Sequence, residues 1–479
     1  AFTPGGGRSR IGNELFRQEQ DGSFVEVAVA AGADDRGYGM GAAVGDVDGD
    51  GDLELFLSNY GPDVLLLNDG DGTFSDATQA AGVGDPEWSA SATFLDYDRD
   101  GQLDLYVTRY IAFDAERECA LEGGRLDYCG PAQFPGVRDL LYRNEGGGRF
   151  REVGREAGIA ATELRGLGVV ASDFNGDGWI DLYVANDSDP NNLWINQGDG
   201  TFVDDAVLVG VAYNRFGVGE AGMGIGYGDG DGDGDLDLFV THLIEETNTY
   251  YENLGEAGFE DTTAIVGLGV PSVPFTGFGT ALADLDLDGD LDVPVAQGAV
   301  KHRPSALANR PEWFWNDYAE PNLLFSNLGG GRFAEAPAGA FGEPIEISRG
   351  LVAADLDGDG DLDLVVTNIE GPARIYRNPT RSGGAGPSWL EVRPVDASDR
   401  EALGASVTLV TDGGRLVGEA RPGGSYLAGG HGRAHFGLGG RRSIEGVEVR
   451  WPDGEVERFP GGPVDRVLVL RRGEGEPPR

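Results

Sequence analysis

Six stretches of this chain place acids, with one Gln, one Asn and one Trp among them, at alternate positions of a short glycine-containing loop. They are Asp46, Asp48, Asp50, Asp52 and Glu54; Asp96, Asp98, Asp100, Gln102 and Asp104; and Asp173, Asn175, Asp177, Trp179 and Asp181. The other three are Asp229, Asp231, Asp233, Asp235 and Asp237; Asp284, Asp286, Asp288, Asp290 and Asp292; and Asp355, Asp357, Asp359, Asp361 and Asp363. Ca2+ takes roughly 6–8 oxygens at about 2.3–2.6 Å, and a bent loop brings several acids to one centre. One such loop carries little weight, because acidic turns are common. Six in register point to a repeat built around up to six calcium ions.

An EF-hand also opens Asp-x-Asp-x-Asp-Gly, but it needs a Glu at position 12 and helices on both sides. Here position 12 is Leu57, Val107, Val184, Val240, Val295 and Val366. The fourth side-chain ligand is therefore expected from position 9, and the EF-hand is excluded. Leu53, Leu55 and Leu57 alternate with Glu54, Phe56 and Ser58, which predicts a strand after the loop. In the third loop, Asn175 still offers an amide oxygen, and Trp179 leaves position 7 to its backbone carbonyl. Arg99 and Gln102 should weaken the second loop. The longer Glu54 must fold back in the first. The fourth, fifth and sixth loops should bind best.

Between the loops a second unit recurs, as at residues 64–74, 140–150, 192–202 and 323–333: a strand, a Gly/Asp turn and another strand. That is a β-hairpin. Each repeat becomes strand A, acidic loop, strand B, a connection, strand C, tight turn and strand D. Loop starts are 50, 77, 56, 55 and 71 residues apart. Four strands per repeat of this length predict an all-β, calcium-loop β-propeller. A seventh hairpin, residues 13–27, precedes the first loop. It favours seven blades over six. The long spacings mark insertions at 109–138 and 298–321, both between strands B and C. In an up-and-down blade they fall on the face opposite the acidic loops.

Net charge is −46 over 479 residues, and the six loops hold 27 of the 82 acids. Six calcium ions would leave about −34, so nucleic acid is not an expected partner. There is no run of 18 apolar residues to span a bilayer. The opening Ala1 fits a secreted protein whose signal peptide has been removed, as does a trimmed chain. Cys119 and Cys129 read as a local disulfide in preference to two reduced thiols. A Gly/Pro stretch at 379–387 separates the repeats, residues 1–385, from a small β domain at 386–473 and a flexible tail at 474–479.

On these motifs the repeats resemble FG-GAP/VCBS propellers, a class also found in integrin α-subunit heads. Residues 404–407, 423–427, 435–439 and 447–454 resemble the ASPIC/UnbV domain. Together they resemble the cartilage acidic protein family, which has secreted bacterial members. The resemblance implies an extracellular calcium-binding interaction protein, with a protein or glycan partner. Self-association into a surface layer or filament is one alternative. A calcium-dependent hydrolase or lyase is another, disfavoured because no Gly-x-Ser-x-Gly, His-Glu-x-x-His or Walker loop is present. His242, Trp313, Phe314, Trp315 and Tyr318 are candidates for a partner surface, His242 in a polar ring lining the funnel. Packing of the aromatics onto the propeller rim competes with that role.

Overall fold

The computed structural model describes residues 12–120, 126–127, 129–302, 314–381, 386–421, 425–430 and 432–478. The alternating segments form antiparallel blades in the order A-B-C-D. Blade 1 is Tyr38–Gly45, Glu54–Tyr60, Val64–Asn68 and Phe74–Asp76. Blade 2 is Ser89–Leu95, Asp104–Arg109, Leu140–Asn144 and Phe150–Glu152. Blades 3, 4 and 5 open with strands Gly166–Ser172, Ile225–Gly228 and Gly277–Thr280. Blade 6 has three strands among the described residues: Ser348–Ala354, Asp363–Asn368 and Arg374–Tyr376.

The chain's first hairpin, Phe16–Gln18 with Phe24–Glu26, joins none of these sheets. Its position follows from a repeated contact. The Asn ending strand C reaches back with Nδ2 to the second carbonyl of the preceding acidic loop. Asn144 bonds Val47 at 2.7 Å, Asn196 bonds Tyr97 at 2.9 Å and Asn378 bonds Leu285 at 2.6 Å. Gln18 does the same to Leu356 of the sixth loop, at 2.7 Å. The hairpin therefore stands one step beyond blade 6, at a seventh position.

Between strand D and the next strand A, one helical turn ends on a left-handed glycine, which the alternation pattern does not announce. Ala206–Val209 ends at Gly210 with φ 96°, and Thr263–Val266 ends at Gly267 with φ 97°. A Cβ on either would stand 2.6 or 2.3 Å from a carbonyl of the next blade's hairpin, so only glycine lets the blades approach.

The strand B–C turns carry their own polar keystones. A backbone N–H at or within two residues of the end of strand B donates to Asp63 in blade 1, Asp139 in blade 2, and Asn191, Asn248 and Asn322 in blades 3 to 5, at 2.8–3.0 Å. Asp63 also accepts from Ser89 Oγ at 2.8 Å. Burial pushes its carboxyl up to about 8. A carboxyl raised on folding binds its proton more tightly in the folded state, so its contribution falls as pH climbs from about 4 to about 8. Asp63→Asn, which copies blades 3 to 5, is therefore expected to stabilise the protein at pH 8.5 by at least about 1 kcal/mol and to leave it unchanged at pH 4. Denaturant melts at the two pH values check this.

The C-terminal domain is two sheets, Ala434–Gly439, Ser388–Val395 and Arg466–Arg471 against Gly414–Glu419, Ser406–Thr411, Ser443–Arg450 and Val456–Pro463. Leu390, Val407, Phe436, Val449 and Trp451 fill its core. The strand Val456–Pro463 is disguised in the sequence by its glycines and prolines. Residues 474–478 are not a free tail: Glu476 exchanges backbone hydrogen bonds with Arg458 at 2.7 and 2.9 Å. Cys119 and Cys129 form a disulfide.

Candidate metal centres

Each acidic loop is shaped by its own carboxylates. Position 1 accepts from the backbone N–H of position 6: Asp46 from Gly51 at 3.1 Å, Asp173 from Gly178 at 2.8 Å and Asp355 from Gly360 at 3.0 Å. Position 5 accepts from position 7, as Asp233 does from Asp235 at 2.9 Å. Positions 4 and 6 are left-handed, and glycine fills most of them. Arg99 (φ 60°) and Leu287 (φ 64°) adopt that conformation without being glycine. In the first, fourth, fifth and sixth loops, carboxylate oxygens of positions 1, 3 and 5 lie within 4.8 Å of one another; in the second, Asp96, Asp98 and Asp104 do.

Position 9 does more than the sequence suggests. The side chains of Glu54, Asp104, Asp181, Asp237, Asp292 and Asp363 are buried. One oxygen of each accepts from the N–H of position 2, at 2.7–3.4 Å. In blades 2 to 6 the other accepts from the N–H of the Asn ending strand C, at 2.8–2.9 Å. The residue expected as a simple fourth ligand is thus a hub joining loop, strand B and strand C.

These carboxyls resist ionising. Burial, then hydrogen bonds in the opposite sense (from backbone N–H groups and, first for Asp237, from the Tyr250 hydroxyl), then neighbouring acids set Glu54 at about 8, Asp104 at about 9, Asp237 at about 7 and, at position 1 of the fifth loop, Asp284 at about 8. Among the described residues, three buried loop oxygens, Glu54 Oε1, Asp96 Oδ1 and Asp173 Oδ1, have no hydrogen-bond partner. A buried acceptor without a donor is costly unless a cation meets it. The donor set suits Ca2+: hard oxygens, several carboxylates and a flexible loop. Asp46, Asp229, Asp284 and Asp355 with their position-3 and position-5 partners, and Asp96 with Asp98 and Asp104, would hold the ions. Asp361 is committed elsewhere, its Oδ2 accepting from Arg381 N at 2.7 Å. Trp179 at position 7 stacks under the Arg99 guanidinium, 3.6 Å from its ring.

The C-terminal domain sits on this loop face. Gly439 N donates to Leu287 O at 2.8 Å, His435 Nε2 lies 2.9 Å from Gly360 O, and Ser172 Oγ bonds the buried Glu419 at 2.9 Å. His435 is accounted for by that contact; His431 lies outside the described residues. From the same domain, Ser425, Tyr426 and Leu427 enter the propeller's centre. Thr280 N donates to Ser425 Oγ at 2.8 Å, and Leu427 N donates to Ser91 Oγ at 3.0 Å. Tyr426, 7% exposed, packs among Ala90, Leu167, Met223 and Phe278 of four successive blades. The central channel is plugged. Its only trace in the sequence is an aromatic residue between glycines in an ASPIC/UnbV-like motif.

The expected partner residues mostly serve packing. His242 is 1% exposed, with Nδ1 2.9 Å from Thr247 O, and burial lowers its pKa to about 4. The polar ring expected to line a funnel, His242 with Asn59, Asn186 and Asn368, instead ties down the B–C turns: the buried Asn186 donates from Nδ2 to Pro190 O at 2.7 Å and the half-buried Asn368 from Nδ2 to Pro372 O at 2.9 Å. Trp315 and Tyr318 pack against Ala299, Ile345 and Ile347, fixing the second insertion to the rim. Trp313 lies outside the described residues. Phe314 opens the short helix Phe314–Tyr318.

A family model described as "FG-GAP-like repeat" matches six segments, 5–57, 46–107, 124–184, 173–240, 229–295 and 309–389. The chain belongs to the FG-GAP-like repeat family. The model "ASPIC and UnbV" matches residues 395–477 of this FG-GAP protein. It is similar to Cartilage acidic protein 1 of Homo sapiens, 28% identical over 329 residues, and of Mus musculus, 29% over 312. The human match covers 67% of this chain and 46% of the relative; the mouse match covers 64% and 45%. The chain thus spans about half the length of these relatives. Among solved structures, an Agrocybe aegerita lectin recognising non-reducing terminal N-acetylglucosamine aligns at 19% identity. It covers 74% of this chain and 85% of its own, with a TM-score of 0.41. No helix among the described residues of the FG-GAP chain is long and apolar enough to cross a membrane.

Proposed function

We propose that this chain is a secreted, calcium-binding, non-enzymatic interaction module. Calcium braces the acidic loops, and recognition of an extracellular protein or glycan falls to the B–C face with its insertions. The recurrent carboxylate clusters, with buried oxygens that no donor among the described residues satisfies, carry the calcium reading. The Cys119–Cys129 disulfide supports an oxidising compartment. A non-catalytic role is supported by His242, whose burial and lowered pKa make it a structural imidazole.

The test is calcium stoichiometry by isothermal titration on chelator-stripped protein, with elemental analysis of the reloaded sample. Four to six ions per chain are expected, the fourth, fifth and sixth loops filling first. Uptake of one ion or none would overturn the reading.

A further inference from the structure

The third loop alone carries an amide at position 3, where the other five have Asp48, Asp98, Asp231, Asp286 and Asp357. Gly176 follows it, and Asn175–Gly176 is the single Asn-Gly step in the chain. The step sets an amide carbonyl carbon beside the backbone nitrogen of the next residue, at the spacing of a five-membered ring. Glycine, with no Cβ to crowd the approach, lets that ring close most readily. Asn175 and Gly176 are both exposed, and a Cβ on Gly176 would meet nothing within 4 Å, so solvent reaches the nitrogen.

Two features of the folded loop prepare ring closure. In the first, fourth and sixth loops the position-4 N–H is engaged: Gly49, Gly232 and Gly358 donate to Oδ1 of Asp46, Asp229 and Asp355 at 2.7–2.8 Å. Gly176 makes no such bond among the described residues, and the oxygen that would receive it, Asp173 Oδ1, has no donor there. The attacking nitrogen is therefore not tied down. The amide it would attack is held at both ends by Asp177. Asn175 Oδ1 accepts from Asp177 N at 2.9 Å, and Asn175 Nδ2 donates to Asp177 Oδ2 at 3.0 Å. The Asp177 N–H polarises the side-chain carbonyl and meets the negative charge that grows on its oxygen under attack.

We propose that Asn175 is a self-modifying residue, deamidated to aspartate within the folded loop. Hydroxide from solvent takes the proton of Gly176 N, which then bonds Asn175 Cγ. The Cγ–Nδ2 bond breaks, and the nitrogen leaves as ammonia with a proton from water, closing a succinimide. Water adds across the ring bond between Cγ and Gly176 N, its hydroxyl going to Cγ and its proton to nitrogen. The Gly176 amide is restored, and a carboxyl stands where the side-chain amide was. One water is consumed and one ammonia released, with no change of oxidation state. The Asp177 N–H on the side-chain oxygen directs water to Cγ in preference to the backbone carbonyl, so aspartate forms and not the longer isoaspartate backbone. The third loop then carries the acid that its five counterparts have at position 3. These steps use only the chain and water, so they stand apart from the calcium reading.

The test incubates the folded protein, without added calcium, at pH 5 and pH 8, beside the free peptide of residues 171–180. Peptide mass mapping follows the gain that marks conversion of an amide to an acid, and isoaspartyl methyltransferase labelling separates the two products. The segment holding Asn175 is expected to convert severalfold faster at pH 8 than at pH 5, and at least as fast as the peptide. Aspartate should exceed isoaspartate in the folded protein, with the order reversed in the peptide. Asn175→Gln, whose longer side chain cannot close the five-membered ring, should show no gain in that segment. Asn175 left intact after the peptide has converted would overturn the proposal, as would isoaspartate as the main product in the folded protein.

Discussion

Stripping calcium with a chelator at pH 8 is expected to lower the melting temperature by many degrees. With dissociation constants of about 0.1–1 mM, typical of extracellular modules, each site contributes roughly 0.4–1.4 kcal/mol at 1 mM calcium. Six sites together supply about 2–8 kcal/mol, comparable to the whole stability of an ordinary domain. The effect should depend on pH in a defined sense. In the calcium-free protein the loop carboxyls have folded pKa values above their unfolded ones, Glu54 and Asp284 at about 8 and Asp237 at about 7. The calcium-free fold therefore loses stability as pH rises from about 4 to about 8. Calcium displaces those protons, so the gap between loaded and stripped melts should widen from pH 5 to pH 8. Scanning calorimetry at both values measures it. A melt indifferent to chelator at pH 8 would remove calcium from the account of stability.

Tyr426→Ala is expected to cost about 3–5 kcal/mol, the usual range for emptying a large aromatic site. Tyr426 lies between the rings and side chains of four blades, 4.9 Å from the Phe278 ring, and Arg349 stacks on Phe278 at 3.9 Å. Because it belongs to the C-terminal domain, the loss should appear as undocking. Calorimetry should resolve two transitions where the parent shows one, and amides of Ser91, Val169 and Thr280 should exchange faster. If the variant melts as the parent does, the plug is not what couples the two domains.

Local periodicity carried much of the fold. The alternation after each acidic loop marked strand B, the Gly/Asp turns marked hairpins, and the acids at positions 1, 3 and 5 marked the clusters, because each depends on neighbours within about ten residues. The position-9 acid was visible as a ligand candidate. Its second role was not, since its partner is an Asn 15–40 residues away, as with Asp181–Asn196 and Asp104–Asn144. His242 looked available because a B–C turn is ordinarily exposed; Asn248 and Thr247 fold the turn over it. The strand Val456–Pro463 was hidden because edge pairing overrode its unfavourable glycines and prolines.

By itself the sequence determined a repeated β unit with acidic loops, since strand period, turn chemistry and the spacing of the acids are short-range properties. Only the tertiary structure decided that the C-terminal domain rests on the loop face, that Tyr426 plugs the channel and that the first hairpin stands at a seventh position. Those outcomes rest on contacts between residues separated by dozens to hundreds of positions, such as Gln18 with Leu356 and Ser91 with Leu427. Shape and burial select such pairs, and no local pattern encodes them.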